Sequence, residues 1–240
     1  MQTYRVRARN TALDSENRIH EDRTAAAYGF RGGLVPGVTV YGYLTVPVVE
    51  HFGADWLGRG GMRVRFQQPV YADDEVVVEL EGNQIEARQA DGTLCASGEI
   101  FWPDGEAPSP AFYPEAPLPA ERPAASERSL ATGRILGSLH RELRLPDEAF
   151  LNPEALLSLS NQLLMENVKL GPWIHAASEV RNFSLAKDGE HITVRGRVAE
   201  RLERKGHQFV VLDIIVVAEG ARVVQQVRHT AIYEPRLTPR

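Results

Sequence analysis

Hydrophobic positions along the chain fall into two similar series. From Val38 to Phe52 the residues read VTVYGYLTVPVVEHF, apolar on nearly every side. Val and Thr lose rotamer freedom in a helix, and Pro47 lacks a backbone donor, so propensity alone allows a strand. The length of the run, its lack of a polar face and Gly53 at its end predict a buried helix instead. "RVRFQ" and "EVVVELE" then alternate polar and apolar residues, the period of a sheet with one covered face. The second series begins at Asn152-Pro153-Glu154, a capping residue followed by proline in the first turn, and predicts a helix through "NPEALLSLSNQLLMENV". Runs rich in Val, Ile, Phe and Tyr follow, as strands prefer. Asp91-Gly92, Asp188-Gly189 and Glu219-Gly220 are of the kind that close hairpins. Both series follow the order helix, strand, turn, strand, strand, turn, strand, which reads as an internal duplication.

Residues 103–128 separate the two series. They carry seven prolines among Ala, Ser and Glu, with no apolar periodicity. That composition predicts an extended, semi-rigid connector rather than a packed element. The chain then divides into residues 1–102, the connector 103–128, and residues 129–240, with a small domain's length on either side.

At 43% hydrophobic and 25% charged the chain can bury a core. Its net charge of −5 is mild, and neither half carries the polybasic face that nucleic-acid binding requires. The short clusters Arg59–Arg63–Arg65 and Arg201–Arg204–Lys205 read as solvated surface. Cys95 is the sole cysteine, which rules out an intrachain disulfide and a thiolate metal cage, and its strand-like setting predicts a core residue. The seven histidines never stand at metal-ligand spacing, so no metal site is expected. Charges at the N-terminus and the lack of any apolar run near ~20 residues predict a soluble, cytoplasmic protein without a membrane partner. No G-x-S-x-G elbow, P-loop or dinucleotide fingerprint is present, and the glycine-rich "FRGGLVPG" and "GRGGMR" read as turns.

The stretch "SENRIHEDRTAAAYGFRGGLVPG", residues 15–37, carries the most specific signal. Asn17 and His20 stand three apart, Ala25–Phe30 reads as a short helix ending in Tyr-Gly-Phe, and Val35–Val38 gives V-P-G-V. This resembles the MaoC-like family of R-specific enoyl-CoA hydratases and dehydratases, whose motif runs approximately G-D-x-N-P-x-H, a short helix, G-F, then A-H-G-M. "QPVYADDEVVVE" matches the family's strand-turn-strand after the central helix. The resemblance covers residues 1–102; the second half resembles the hotdog fold generally and has no copy of N-x-x-H. It implies an α+β tandem (double) hotdog, each half a long helix wrapped by an antiparallel sheet, with the pocket between the halves. Three positions depart from the pattern: the family's Asp falls at Ser15, its Pro at Arg18, and the His of its last motif at Pro36.

The resemblance implies an acyl-CoA or acyl-carrier thioester as substrate, in fatty-acid metabolism, with no further cofactor and a homodimer as one possible assembly. Catalytic roles fall to His20, Asn17 and Ser15, thioester binding to the backbone at Gly37 and Val38, and the pocket wall to Val35, Pro36 and Tyr41. Physical chemistry supports part of this independently. The first N–H groups of a helix lack internal partners and suit a developing enolate oxygen, and Gly37 lets a ligand approach closely. His20 has an unperturbed pKa near 6.5, apt for a base near neutrality. Asp14 or Glu16 would need a register change to point inward, and Asp22 is expected to face solvent. A thioesterase reading uses the same oxyanion site with a carboxylate on a central helix, for which Glu50 and Glu166 are the expected candidates. A non-catalytic binder is the third reading, resting on Ser15. Trp173 and His175 in "WIHAASEV" are expected in the core, with the acyl-pocket wall as the alternative.

Overall fold

Each series of hydrophobic residues builds one long helix and a five-stranded antiparallel half-sheet wrapped around it. A computed structural model describes residues 1–144 and 151–237. In the first half, β1 (Gln2–Arg7) leads through the motif loop and α1 (Asp22–Ala27) to the central helix α2 (Gly37–Arg59), then β2 (Gly61–Phe66), β3 (Glu75–Glu81), β4 (Gln84–Gln89) and β5 (Leu94–Phe101). The second half repeats the order with β6 (Leu139–Glu142), α3 (Pro153–Asn167), β7 (Ile174–Asn182), β8 (His191–Arg204), β9 (His207–Ala218) and β10 (Arg222–Glu234).

The ten strands form one sheet in the order β1-β3-β4-β5-β2-β7-β10-β9-β8-β6. Read outward from the β2–β7 junction, both halves give the same sequence of repeat positions, as a duplication requires. At the junction Met62 pairs with Val180 and Val64 with Ser178, which puts their side chains on the inner face. Arg63 meets Glu179 on the outer face at 3.1 Å. Apolar residues of both halves merge into one core, centred on Tyr41, Leu44 and Val48 of α2 and Leu157, Leu163 and Leu164 of α3. The double hotdog expected from the sequence is therefore present.

Tertiary burial overrides propensity in α2. Pro47 sits inside the helix without ending it, and Gly53, at φ 62°, makes a break that only glycine adopts freely. The helix resumes and runs on to Arg59. Asn152 caps α3 as expected, its side-chain oxygen accepting the Ala155 N–H at 2.8 Å.

Two local expectations need correction. Asp188-Gly189 turns the chain but closes no hairpin, because β9 and β10 lie between β7 and β8. The β8–β9 hairpin is closed instead by Lys205-Gly206, both at positive φ. The connector is not merely a spacer either. It is largely without regular structure, yet Tyr113 is buried against Ile215, Val217 and Val223 on the outer face of the second half. The Tyr113 hydroxyl donates to Asp213 Oδ1 and accepts from Gln226 Nε2, both at 2.9 Å.

Candidate functional site

Asn17 organises the motif loop. As the cap of a 3-10 turn over Arg18–His20, its Oδ1 accepts from Ile19 N at 3.3 Å and from Trp173 N at 3.1 Å. Its Nδ2 donates to the Trp173 carbonyl at 2.9 Å and lies 3.3 Å from His20 Nε2. Two N–H donors on the oxygen fix the orientation of the amide. One side chain therefore ties the loop to the second half, across 156 positions of sequence.

That network also decides the state of His20, which is buried. Its Nδ1 lies 2.7 Å from the Leu34 carbonyl. A carbonyl only accepts, so Nδ1 carries the proton and Nε2 presents a lone pair. Burial pulls the imidazole pKa below 6.5, opposed by the Leu34 bond. Near neutral pH the ring is uncharged, the form a general base needs.

Two cavities meet at this histidine. An apolar cavity of about 230 Å³ is bounded by Ile19, Phe30, Val40, Phe66 and Ile232, and includes the backbone of Gly37. A second, of about 360 Å³ and richer in polar side chains, is bounded by Ser15, Thr39, Glu154, Ser158 and Gln162. Asn17, His20, Pro36, Asn161 and Trp173 line both. The pocket is thus built from both halves.

Most of the expected site residues gather here, though not all in the expected place. Val35, Pro36 and Gly37 line the apolar cavity, while Val38 lines the polar one. Ser15 also faces the polar cavity, and its Oγ accepts the Asn17 N–H at 3.1 Å. Tyr41 lines neither. One residue past Val40, helical rotation carries it into the core, where it is fully buried and its hydroxyl has no hydrogen-bond partner among the described residues. Glu16 is turned outward and pairs with Arg122 at 2.9 Å. Asp14 is exposed, and so is Asp22, whose Oδ1 accepts the Gly33 N–H at 2.7 Å. Glu50 and Glu166 are exposed and line neither cavity.

Two residues at the site were not singled out as site groups by the sequence, and a third, His175, was expected in the core with the acyl-pocket wall as the alternative. Glu154, in the first turn of α3, accepts from Thr39 Oγ1 at 2.7 Å and places a carboxylate in the polar cavity. Asn161 stands at the seam of the two cavities, its buried Oδ1 without a hydrogen-bond partner among the described residues. His175 lines the apolar cavity rather than merely packing in the core. An acid in a first helical turn normally reads as a complement to the helix dipole, so only the fold distinguishes Glu154.

No family model matches the chain, and no curated protein is similar enough to match it. Among solved structures, a MaoC-like dehydratase superimposes over 92% of this chain and 91% of its own, with TM-score 0.58 and 13% identity. A double-hotdog protein of Mycobacterium tuberculosis superimposes over 93% and 88%, with TM-score 0.58 and 13% identity. The acyl-CoA thioesterase II TesB2 of Mycobacterium marinum covers 83% and 89%, with TM-score 0.54 and 13% identity. At such identities the likeness is one of fold, and it is shared by dehydratases and thioesterases alike.

Proposed function

We propose that the protein adds or removes water on an acyl-thioester of the 2-enoyl and 3-hydroxyacyl type. The observation that carries this reading is the state of His20: Nδ1–H is held by Leu34 O, and an unprotonated Nε2, 3.3 Å from Asn17 Nδ2, sits where two cavities meet near the start of α2. In hydration, Nε2 takes a proton from water as the water oxygen bonds to the β-carbon. The C=C electrons move toward the thioester, and negative charge grows on its oxygen. The Gly37 and Val38 N–H groups, the first two of α2, have no intrahelical acceptor and stabilise that charge. The proton held on His20 then passes to the α-carbon, which leaves the enzyme unchanged and the water added. The apolar cavity suits the acyl chain and the polar one the water. The carrier is coenzyme A or an acyl-carrier protein, and no further cofactor enters the scheme.

One observation favours a second reading, a thioesterase. Glu154 supplies a carboxylate to the polar cavity, where it could direct water at the carbonyl carbon instead. Incubating the purified protein with a panel of 2-enoyl-CoA and saturated acyl-CoA thioesters, followed by mass, separates the two. Gain of water on the enoyl compounds is the expected result. Release of free acid would replace the hydratase with the thioesterase, and binding without change would remove both.

A further inference from the structure

A chain of buried polar groups runs from the apolar cavity into the second half. It begins with a bulge. The β7–β10 register shifts between Thr230, which opposes Ala177, and Ala231, which opposes His175, leaving Ala176 as the extra residue. Residues three apart on a regular strand face opposite sides; the bulge instead brings His175 and Ser178 to the same inner face. His175 Nε2 and Ser178 Oγ are 2.8 Å apart, and the same Oγ is 3.2 Å from His229 Nδ1. The two imidazoles lie 4.3 Å apart, centroid to centroid. All three residues are at least nine-tenths buried, at 5%, 3% and 0% exposure. Burial and the neighbouring ring hold His175 well below its usual pKa, against a smaller opposing pull from the Ala177 backbone, and burial takes His229 down to about 3. Both rings are therefore neutral at ordinary pH.

The outer nitrogens of this chain, His175 Nδ1 and His229 Nε2, have no hydrogen-bond partner among the described residues. Ser178 has one proton, so it donates to one ring and accepts from the other. If it donates to His229, a bare N–H is left on His229 Nε2 in the core. If it donates to His175, the orphan on His229 is only a lone pair, and the free N–H stands on His175 Nδ1. Either arrangement leaves one buried N–H without a partner among the described residues; the second puts it on the ring that lines the apolar cavity, where a ligand can satisfy it, and is favoured for that reason. His175 Nδ1 also lies at the start of α2. A Cβ on Gly37 would come within 3.0 Å of it, so the absence of a side chain there leaves the ring edge and the helix terminus side by side.

We infer that His175 Nδ1–H is a second donor to the carbonyl oxygen of the bound ligand, beside the Gly37 N–H, and that Ser178 and His229 hold its ring in position. The ligand class is a thioester or another acyl group whose oxygen enters at the start of α2. The inference rests on the acyl-thioester reading above and adds to it a group from the second half. Ser178 and His229 touch no substrate and act only through His175.

Two coenzyme A thioethers of equal chain length test it. A 2-oxoalkyl-CoA keeps a carbonyl and cannot be hydrolysed, whereas an alkyl-CoA has none. Calorimetry should show the intact protein preferring the oxo compound. His175→Leu should reduce that preference by about 3- to 10-fold, with the alkyl compound bound nearly as before. His175→Asn, which returns an N–H near the place of Nδ1, should restore most of it. If His175→Leu does not fold, Ser178→Ala decides the matter, since it keeps Nδ1 but frees the ring and should give a partial loss of preference. Equal weakening of both ligands, or an unchanged preference, overturns the donor role and leaves the acyl-thioester reading standing. Failure of the intact protein to bind either compound overturns that reading and the donor with it.

Discussion

The two central helices occupy equivalent places in the duplicated fold, yet their first turns are finished differently. α3 is closed by its own side chain, with Asn152 Oδ1 on the Ala155 N–H. α2 begins at Pro36-Gly37 with no side-chain cap. A capped terminus has spent part of its positive end on itself, whereas an uncapped one keeps it for a ligand. The motif loop, His20 and the apolar cavity gather at the uncapped terminus, while the polar cavity lies between it and the first turn of α3. The same asymmetry extends to the outer face, where Tyr113 covers the second half and the first half presents charged residues such as Arg63 and Glu99. Duplication supplied two equal frameworks; in the function proposed above, one is the reacting side and the other its support.

The largest expected effect breaks the reacting side directly. His20→Ala should lower turnover of the best thioester by about 10²- to 10⁴-fold, the usual worth of a general base. Affinity for a non-reacting analogue should change little, because the acyl chain is held by the apolar cavity. Single-turnover rates and equilibrium binding check this, and survival of turnover within a few-fold would remove His20 as the base.

Acid should strain the supporting side more than the reacting one. His175 and His229 are neutral when folded, with His229 at about 3, but take up protons near pH 6.5 when unfolded. Because the unfolded chain binds more protons, stability falls as pH drops below about 6.5 and continues to fall toward about 3. His229→Gln should flatten that slope by about one proton. Denaturant midpoints across this range, for both proteins, give the comparison; equal slopes would mean that His229 is not buried neutral.

How much of this was legible in the sequence follows from how local each signal is. The capped start of α3 and the duplication are written in neighbouring residues, and so is the glycine of α2, although it interrupts the helix rather than ending it as the sequence suggested. So is the loop, where Asn17 and His20 sit three apart. Contacts between the halves are not. Asn17 reaches Trp173, and Thr39 reaches Glu154, only because the two half-sheets join at β2 and β7. The bulge at Ala176 has no glycine or proline to mark it, so the shared face of His175 and Ser178 is invisible before the register is known. Tyr113 is hidden for a different reason: seven prolines describe the stiffness of residues 103–128 but not what one aromatic ring among them covers.

A smaller effect tests the tie between the halves. Asn17→Ala leaves the Trp173 N–H and carbonyl without their partner in a buried site. At about 1–3 kcal/mol for each of the two unsatisfied groups, a loss of about 2–6 kcal/mol is expected, together with weaker thioester binding as the loop loosens. Chemical denaturation gives the first and calorimetry the second. A loss below about 1 kcal/mol would mean that the loop is held mainly by other contacts.

The smallest effects come from exchanging the two helix starts, and they address the asymmetry itself. Asn152→Ala removes the α3 cap and should cost about 1 kcal/mol. Pro36→Asn places a capping oxygen where α2 has none, at a residue whose backbone (φ −55°, ψ 139°) already suits a cap. The new oxygen would accept from the first turn of α2 and stabilise it by about 1 kcal/mol, offset by the lost rigidity of proline at about 0.4–1 kcal/mol. Net stability should therefore barely move. Binding should, because a capping oxygen on the Val38 or Thr39 N–H would stand beside the Gly37 and Val38 donors and repel the ligand's carbonyl oxygen: affinity for a carbonyl-bearing analogue should fall by about 3- to 10-fold, the worth of one hydrogen bond. A carbonyl-free analogue should be bound as before. If Pro36→Asn instead left both affinities unchanged while thermal unfolding showed the helix stabilised, the open terminus of α2 would be only an unfinished helix end, and the ligand oxygen would be held elsewhere.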